Sequence, residues 1–356
     1  MTNASHQPTS RRTIPPQSTL PPLHYGTSMD LGRVALFTLG GTIAMAGHDG
    51  GVVARLGGRD LVAGVGGLGD GVDVEVQDLR AAPSADLSFV DILDAVDAAE
   101  EAVAQGACGI VLTQGTDTLE ESAFLVDAVW ARDAPFVITG AMRNPTLPGA
   151  DGPANLVAAV RVAAATAARG RGALVVVKDE IHAARHVRKS HSVSTAAFSS
   201  PDLGPIGHVV EGAPHFLARV PRPRPITGFT RADLSATRIA LYTATLDDDG
   251  ALLDGIGDSH HGMVVAGFGV GHVPGALAPV LGGLAAVMPV VLTSRTGAGP
   301  VLANTYGAVG SERDLRERGL ISGGFLHPYK ARVLLRLLVA AGAGADEIAA
   351  TFAAFG

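Results

Sequence analysis

Cysteine and lysine are nearly missing from this sequence, and each shortage removes a class of protein. The single cysteine, Cys108, excludes an internal disulfide framework and any cysteine-rich zinc site. It directly precedes an apolar run, so it reads as a small buried side chain and not as a nucleophile. No apolar run reaches the ~18 residues of a membrane-spanning helix. There is no basic excess either: the formal net charge is −7, which argues against a nucleic-acid surface. The 12 histidines do not combine with carboxylates in a metal-ligand spacing, and His260-His261 reads as a surface turn. Neither a metal nor a cofactor is expected.

The lysine shortage is informative in another way. Only Lys178, Lys189 and Lys330 occur, and arginine supplies the rest of the 27 basic residues. A lysine kept against that bias points to chemistry that a guanidinium cannot do, because only an amine loses its proton near neutral pH. Position has to decide which of the three qualifies. Lys178 reads as a strand-end charge and Lys330 as a helix-start charge.

What is present describes a globular protein with an ample core, 47% hydrophobic and 17% charged. Its 356 residues suit about two domains at ~150 residues each. Residues 1–30, rich in Ser, Thr, Pro and Gln, read as a disordered extension. Arg11-Arg12 is not followed by the apolar segment of an export signal, so cytoplasm is the expected location. Met29 is an alternative start, because ordered periodicity begins just after it.

From Gly32 onward, strand-like runs alternate with helical patterns. Strands are expected at Val34–Thr38, Val72–Val76, Gly109–Thr113, Phe136–Thr139 and Ala173–Val177. Helices are expected near Phe89–Gln105, Leu119–Arg132 and Ala154–Ala168. In the second of these, Leu119, Ala123, Val126 and Trp130 share one face. Thr118, with Glu121 three residues later, reads as a capping box. A proline-rich stretch from Val220 to Thr227 reads as a stiff linker. Beyond it, strands are expected at Arg238–Tyr242, Gly262–Ala266 and Val290–Thr293, and helices at Pro328–Ala341 and Ala345–Phe352. The expected fold is therefore α/β: a larger N-terminal, mostly parallel-sheet domain (31–219), a linker (220–236) and a smaller C-terminal α/β domain (237–356).

Two turns follow expected strands: Gly40-Gly41-Thr42 and Gly115-Thr116-Asp117. Open α/β sheets bind ligands beyond the carboxyl ends of their strands, and glycine lets backbone amides approach a ligand there. Two hydroxyls and a carboxylate in such turns suggest one small polar catalytic site. Taken in order, Leu39-Gly40-Gly41-Thr42-Ile43-Ala44, Thr113 to Glu121 and Gly140-Ala141-Met142-Arg143 closely resemble the bacterial-type L-asparaginases. So do the Asp151–Leu156 run, Val187-Arg188-Lys189-Ser190 and Leu326-His327-Pro328-Tyr329-Lys330-Ala331-Arg332. The resemblance extends from about Gly32 to the C-terminus.

That resemblance implies roles. Thr42 matches the nucleophile that would form an acyl-enzyme ester and release ammonia. Thr116, Asp117 and Lys189 match a second triad, in which a neutral Lys189 amine takes a proton through Thr116 while Asp117 holds the amine. Which threonine serves which half-reaction stays open, as does direct attack by water. Ser84 matches the serine that binds the substrate α-carboxylate, helped by the amides of Gly115 and Thr116. Asp117 would take the α-ammonium, and the backbone at Ala141 would lie near the side-chain amide. The implied assembly is a homotetramer built from dimers, with a small-molecule substrate, no nucleic acid and no membrane.

Three departures from the family pattern stand out. The family's lid tyrosine is missing from Met45–Val53, where His48 and Asp49 stand as possible substitutes or as parts of a solvated hinge. Ala85 replaces a glutamine beside the binding serine, which suggests a preference for asparagine over glutamine. His272 stands where relatives place an asparagine that a neighbouring subunit contributes. Other readings are a glutaminase-asparaginase, the amidase subunit of a tRNA-dependent amidotransferase, or a non-catalytic amino-acid-binding relative.

Overall fold

The computed structural model describes residues 32–41, 43, 45–46, 53–54, 57–63, 65 and 71–356. The expected N-terminal extension, Thr42 and the His48-Asp49 segment lie outside these residues. Four aliphatic runs and one alternating valine–acid segment become parallel strands: β1 (Arg33–Thr38), β2 (Asp73–Asp78, the alternating one), β3 (Ala107–Thr113), β4 (Phe136–Thr139) and β5 (Ala173–Val177). Their spatial order is 2-1-3-4-5. Three antiparallel strands extend the sheet beyond β5: β6 (Glu180–Ala183), β7 (Gly207–Val210) and β8 (Ala213–Phe216). Lys178 and Asp179, both at positive φ (52° and 59°), make the tight β5–β6 turn. Lys178 is therefore the exposed strand-end charge that its position suggested.

Helices α1 (Gly58–Ala63), α2 (Phe89–Ala104), α3 (Leu119–Val129) and α4 (Gly152–Ala163) join the parallel strands. Both faces of the sheet are covered, and strand alternation assigns the residues. Ala35 and Phe37 of β1 pack with α2 and α3, whereas Val34 and Leu36 pack with α4. Leu119, Ala123, Val126 and Trp130 are all 0% exposed, as their helical spacing required. Each large apolar side chain buried in this way is worth about 1.5–3 kcal/mol.

Three helix ends differ from the sequence expectation. The last helix runs on to Phe355 and does not stop at Phe352. The α3 helix stops at Val129 and not at Arg132, because Trp130 turns extended (ψ 112°) and its indole N–H donates to the Ala134 carbonyl at 2.9 Å. Ala165, also extended at ψ 126°, ends the helical run after α4 and leaves a separate 3₁₀ turn at Thr166–Ala168.

The smaller α/β part carries a four-stranded parallel sheet in the order β9 (Ile239–Thr243), β10 (Gly262–Gly267), β11 (Val290–Ser294), β12 (Ile321–Ser322). Its helices are α5 (Arg231–Ala236), α6 (Ile256–Ser259), α7 (Leu277–Ala285), α8 (Glu312–Glu317), α9 (Pro328–Ala340) and α10 (Ala345–Phe355). The α9 helix joins the two parts: its Leu334, Leu335 and Leu338 share one buried cluster with Ala123 and Phe124 of α3 and with Val264 and Val291 of the second sheet. The proline-rich stretch lies along α3, where Arg222 donates to the Trp130 carbonyl at 2.6 Å and the Ile226 amide to the Ala128 carbonyl at 2.7 Å. Among the described residues, no helix is long and apolar enough to cross a membrane.

Candidate active site

In the order 2-1-3-4-5, the chain runs in opposite directions from β1 and from β3, so their carboxyl ends flank a crevice where such sheets bind ligands. The two threonine turns follow these two strands. The Leu39 amide donates to the Thr113 carbonyl at 2.9 Å, carrying the pairing past the strand ends. Gly41 then adopts φ +90°, and a Cβ on it would lie 2.1 Å from the Gly115 amide nitrogen. The turns therefore touch backbone to backbone. Thr42 is outside the described residues, but Gly41 before it is packed on the second turn. Ile43 after it is buried in the cluster that holds Ala141 and Leu156.

A third loop closes on the same point. Ser84 starts the 3₁₀ turn Ser84–Asp86 after β2 and is only 3% exposed. Its hydroxyl oxygen accepts from the Asp117 amide at 3.2 Å, and its carbonyl accepts from Thr118 Oγ1 at 2.9 Å. A Cβ on Gly115 would meet Ser84 Oγ at 2.6 Å. These bonds overturn the capping box expected at Thr118 and Glu121. Thr118 is the N-cap residue but makes no side-chain cap bond, because its hydroxyl is committed to the Ser84 loop. Glu121 instead lines a cleft of about 390 Å³ with Arg332, where burial raises its carboxyl pKa and Arg332 opposes the rise.

Lys189 arrives from a short ribbon, Arg188–Lys189 paired with Phe198–Ser199. Its Nζ lies 2.9 Å from Thr116 Oγ1 and 2.7 Å from Asp117 Oδ1. The Lys189 side chain is 14% exposed and that of Asp117 is 71% exposed. Thr116 is 6% exposed. An amine with a hydroxyl on one side and a carboxylate on the other can move a proton to or from that hydroxyl, a role closed to arginine.

Ala141, 1% exposed, sits on a fourth loop against Thr116: a Cβ on Gly140 would approach Thr116 Cγ2 to 3.2 Å. Two residues without a role in the sequence reading hold this loop. The Asp151 carboxylate accepts from the amides of Met142 (3.0 Å) and Arg143 (2.8 Å). The Asn155 amide donates to the Gly140 carbonyl at 2.9 Å. The sequence signal that could have found them is their i, i+4 spacing at a helix start marked by Pro153. Ser84, Gly115, Thr116, Asp117, Ala141 and Lys189 thus belong to one set of touching loops.

Other groups are engaged elsewhere. The tyrosines among the described residues lie in the C-terminal part: Tyr242 bonds Asp248, Tyr306 packs edge-to-face with His272, and Tyr329 packs edge-to-face with His327. His272 is held by Glu312 of its own chain, Nε2 to Oε2 at 3.1 Å. Ser200, His182 and Glu180 line up like a serine hydrolase triad, at 3.0 Å and 3.2 Å. Ser200 and His182 are 5% and 0% exposed, so no substrate carbonyl reaches the hydroxyl. Among the described residues, no three His, Cys, Asp or Glu side chains converge as a metal site.

Comparison with known proteins fits this geometry. The family model described as Asparaginase, N-terminal, matches residues 33–222, and the Glutaminase/Asparaginase C-terminal domain matches 238–352. A probable L-asparaginase of Deinococcus radiodurans is 38% identical over 256 residues, 71% of this chain and 77% of that protein. A glutaminase-asparaginase of Pseudomonas aeruginosa is 33% identical over 318 residues, 85% of each. The crystal structure of a probable cytoplasmic L-asparaginase from Campylobacter jejuni superposes with a TM-score of 0.82 at 30% identity, covering 90% of this chain and 99% of that one. With both domains matched and the threonine, aspartate and lysine side chains in contact at the switch point, this chain belongs to the bacterial-type L-asparaginase family.

Proposed function

We propose that this chain is an L-asparaginase, hydrolysing L-asparagine to L-aspartate and ammonia by threonine chemistry without a cofactor. The observation that carries this reading is the Lys189 amine within hydrogen-bond reach of both Thr116 Oγ1 and Asp117 Oδ1. Thr42 attacks the side-chain amide carbon and gives up its hydroxyl proton, the C–N bond breaks as that proton goes to the leaving ammonia, and a Thr42 ester remains. Water then attacks the ester and its proton passes through Thr116 to a neutral Lys189 amine; the acyl–oxygen bond to Thr42 breaks, the proton returns to the Thr42 oxygen, and aspartate leaves. Ser84 and the amides of Gly115 and Thr116 bind the α-carboxylate, and the Ala141 backbone borders the reacting amide. Lys189 uses one oxygen of the exposed Asp117 carboxylate, so the other is open to the substrate ammonium. A cytoplasmic location and a homotetramer of paired dimers complete the reading.

Ammonia release from asparagine by the wild type, Thr42→Ala and Thr116→Ala tests it. Each variant is expected to lose about 10³-fold or more in kcat. Undiminished turnover in Thr42→Ala would remove the nucleophile. A wild type that binds asparagine without turning it over would favour an amino-acid-binding relative.

The second reading is a broader glutaminase-asparaginase, the name carried by the Pseudomonas aeruginosa relative. Ala85, exposed within the Ser84–Asp86 turn, offers no side-chain hydrogen bond there to hold a longer substrate. We expect kcat/KM for asparagine to exceed that for glutamine by about tenfold or more, the usual effect of one methylene in a fitted site. Comparable values for the two amides would support the broader enzyme.

A further inference from the structure

Lys330 has no part in that chemistry, and its position departs from the sequence expectation of a helix-start surface charge. It is 0% exposed. Its Nζ donates to the carbonyls of Ala184 (2.8 Å), Arg185 (2.9 Å) and Val187, using all three protons of an ammonium. These carbonyls belong to the segment between β6 and Lys189, whereas Lys330 stands in the first turn of α9. One lysine therefore reaches from the second α/β part into the first and grips the chain just ahead of the proposed base.

Glu120, three residues after Asp117 in the first turn of α3, is 5% exposed. Burial raises its pKa, and the charges of Lys330 and Arg188 and the nearby Lys189 amide oppose the rise. Burial likewise lowers the Lys330 amine to about 7, with Glu120 and Asp127 favouring its charge and Arg188 and Arg185 opposing it. The imidazoles of His186 and His327 are pushed down to about 4 and about 3, chiefly by burial, so they stay neutral near pH 7. Fold stability alone explains little of this arrangement, because buried opposite charges often contribute no more than well-packed apolar side chains of the same volume.

On the reading that Lys189 is the base, we infer that Lys330 and Glu120 are positioning residues: a clamp through which the second α/β part sets Lys189 Nζ against Thr116 and Asp117. Lys330 fixes the carbonyls at 184, 185 and 187, and the Glu120 carboxylate favours the ammonium form that this takes. The turns bearing Ser84 and Asp117, which read the substrate's α-groups, are held by other bonds. Loss of the clamp should therefore act on kcat far more than on KM.

The test uses full-length protein labelled with ¹³C at lysine Cε, in which three lysines give three resonances. Lys178, exposed at the β5–β6 turn, is an internal reference. In Lys330→Met and in Glu120→Gln, kcat for asparagine should fall about 10²-fold, the usual cost of a displacement near 1 Å, with KM within about threefold. The Lys189 resonance should move toward that of Lys178. Glu120→Gln keeps the size and removes the charge that favours the Lys330 ammonium, so it decides the matter if Lys330→Met does not fold. Wild-type kcat in a folded variant overturns the inference, and so does a lowered kcat with the Lys189 resonance unmoved. A wild type inactive on asparagine would instead sink the proposed function, while the Lys189 resonance would still report on the clamp.

Discussion

Lys189→Met is expected to lower kcat for asparagine by about 10³-fold while asparagine still binds, the usual scale for losing a positioned acid–base group. Methionine keeps the length and the apolar stem of lysine and removes only the nitrogen that reaches Thr116 Oγ1 and Asp117 Oδ1. Packing around the stem is preserved, so a loss of rate cannot be assigned to collapse of the ribbon. Asp117 loses its salt bridge, but at 71% exposure its carboxylate stays solvated, and the stability cost of losing such a pair is small. Lys189→Arg should lose nearly as much rate, because guanidinium keeps the charge but does not act as a base at neutral pH. Single-turnover ammonia release with isothermal titration of asparagine separates the rate from the binding. A kcat within about tenfold of wild type in Lys189→Met would take Lys189 out of the proton relay.

Gly41→Ala is expected to lower kcat/KM about 10²-fold or more, because a small misplacement of reacting groups is costly. The added methyl would lie 2.1 Å from the Gly115 nitrogen, 2.4 Å from its Cα and 2.7 Å from the Gln114 carbonyl carbon. All three are backbone atoms, so no side chain can swing away, and one threonine turn must move relative to the other. The left-handed conformation at φ +90° adds strain of about 1–3 kcal/mol. Gly228→Ala is the control for that second effect: it has the same φ of +90° with nothing within 4 Å of the added Cβ. It should show the stability loss in a thermal melt and leave kcat/KM near wild type. Equal activity losses in both variants would mean that strain, and not contact between the turns, causes the effect.

Much of the molecule was legible before any coordinates. β4 and β5 run from Phe136 to Thr139 and from Ala173 to Val177, as their aliphatic runs indicated. The buried face of α3 followed from helical spacing, because periodicity is a local property. Side chains whose partners are remote in sequence were less visible. Thr118 sits where a capping residue belongs, yet its hydroxyl bonds a carbonyl 34 residues away. Lys330 stands at a helix start, as its place in the sequence indicates, but a local pattern does not show that its side chain is buried. Its three acceptors lie more than 140 residues earlier. Asp151 and Asn155 carried a spacing signal but no role until the Gly140–Arg143 loop closed on them.

By itself the sequence determined the α/β class and the family, and it carries the side chains proposed to react. Periodicity, glycine-bearing turns and residue chemistry are all written within a few neighbouring positions. The tertiary structure alone decided that the strand order reverses between β1 and β3, that the turn carrying Gly41 rests on Gly115, and that a lysine from α9 grips the segment bearing Lys189. These are contacts between stretches of chain far apart in sequence. They are set by sheet order and by burial of one shared core, and no local pattern encodes them.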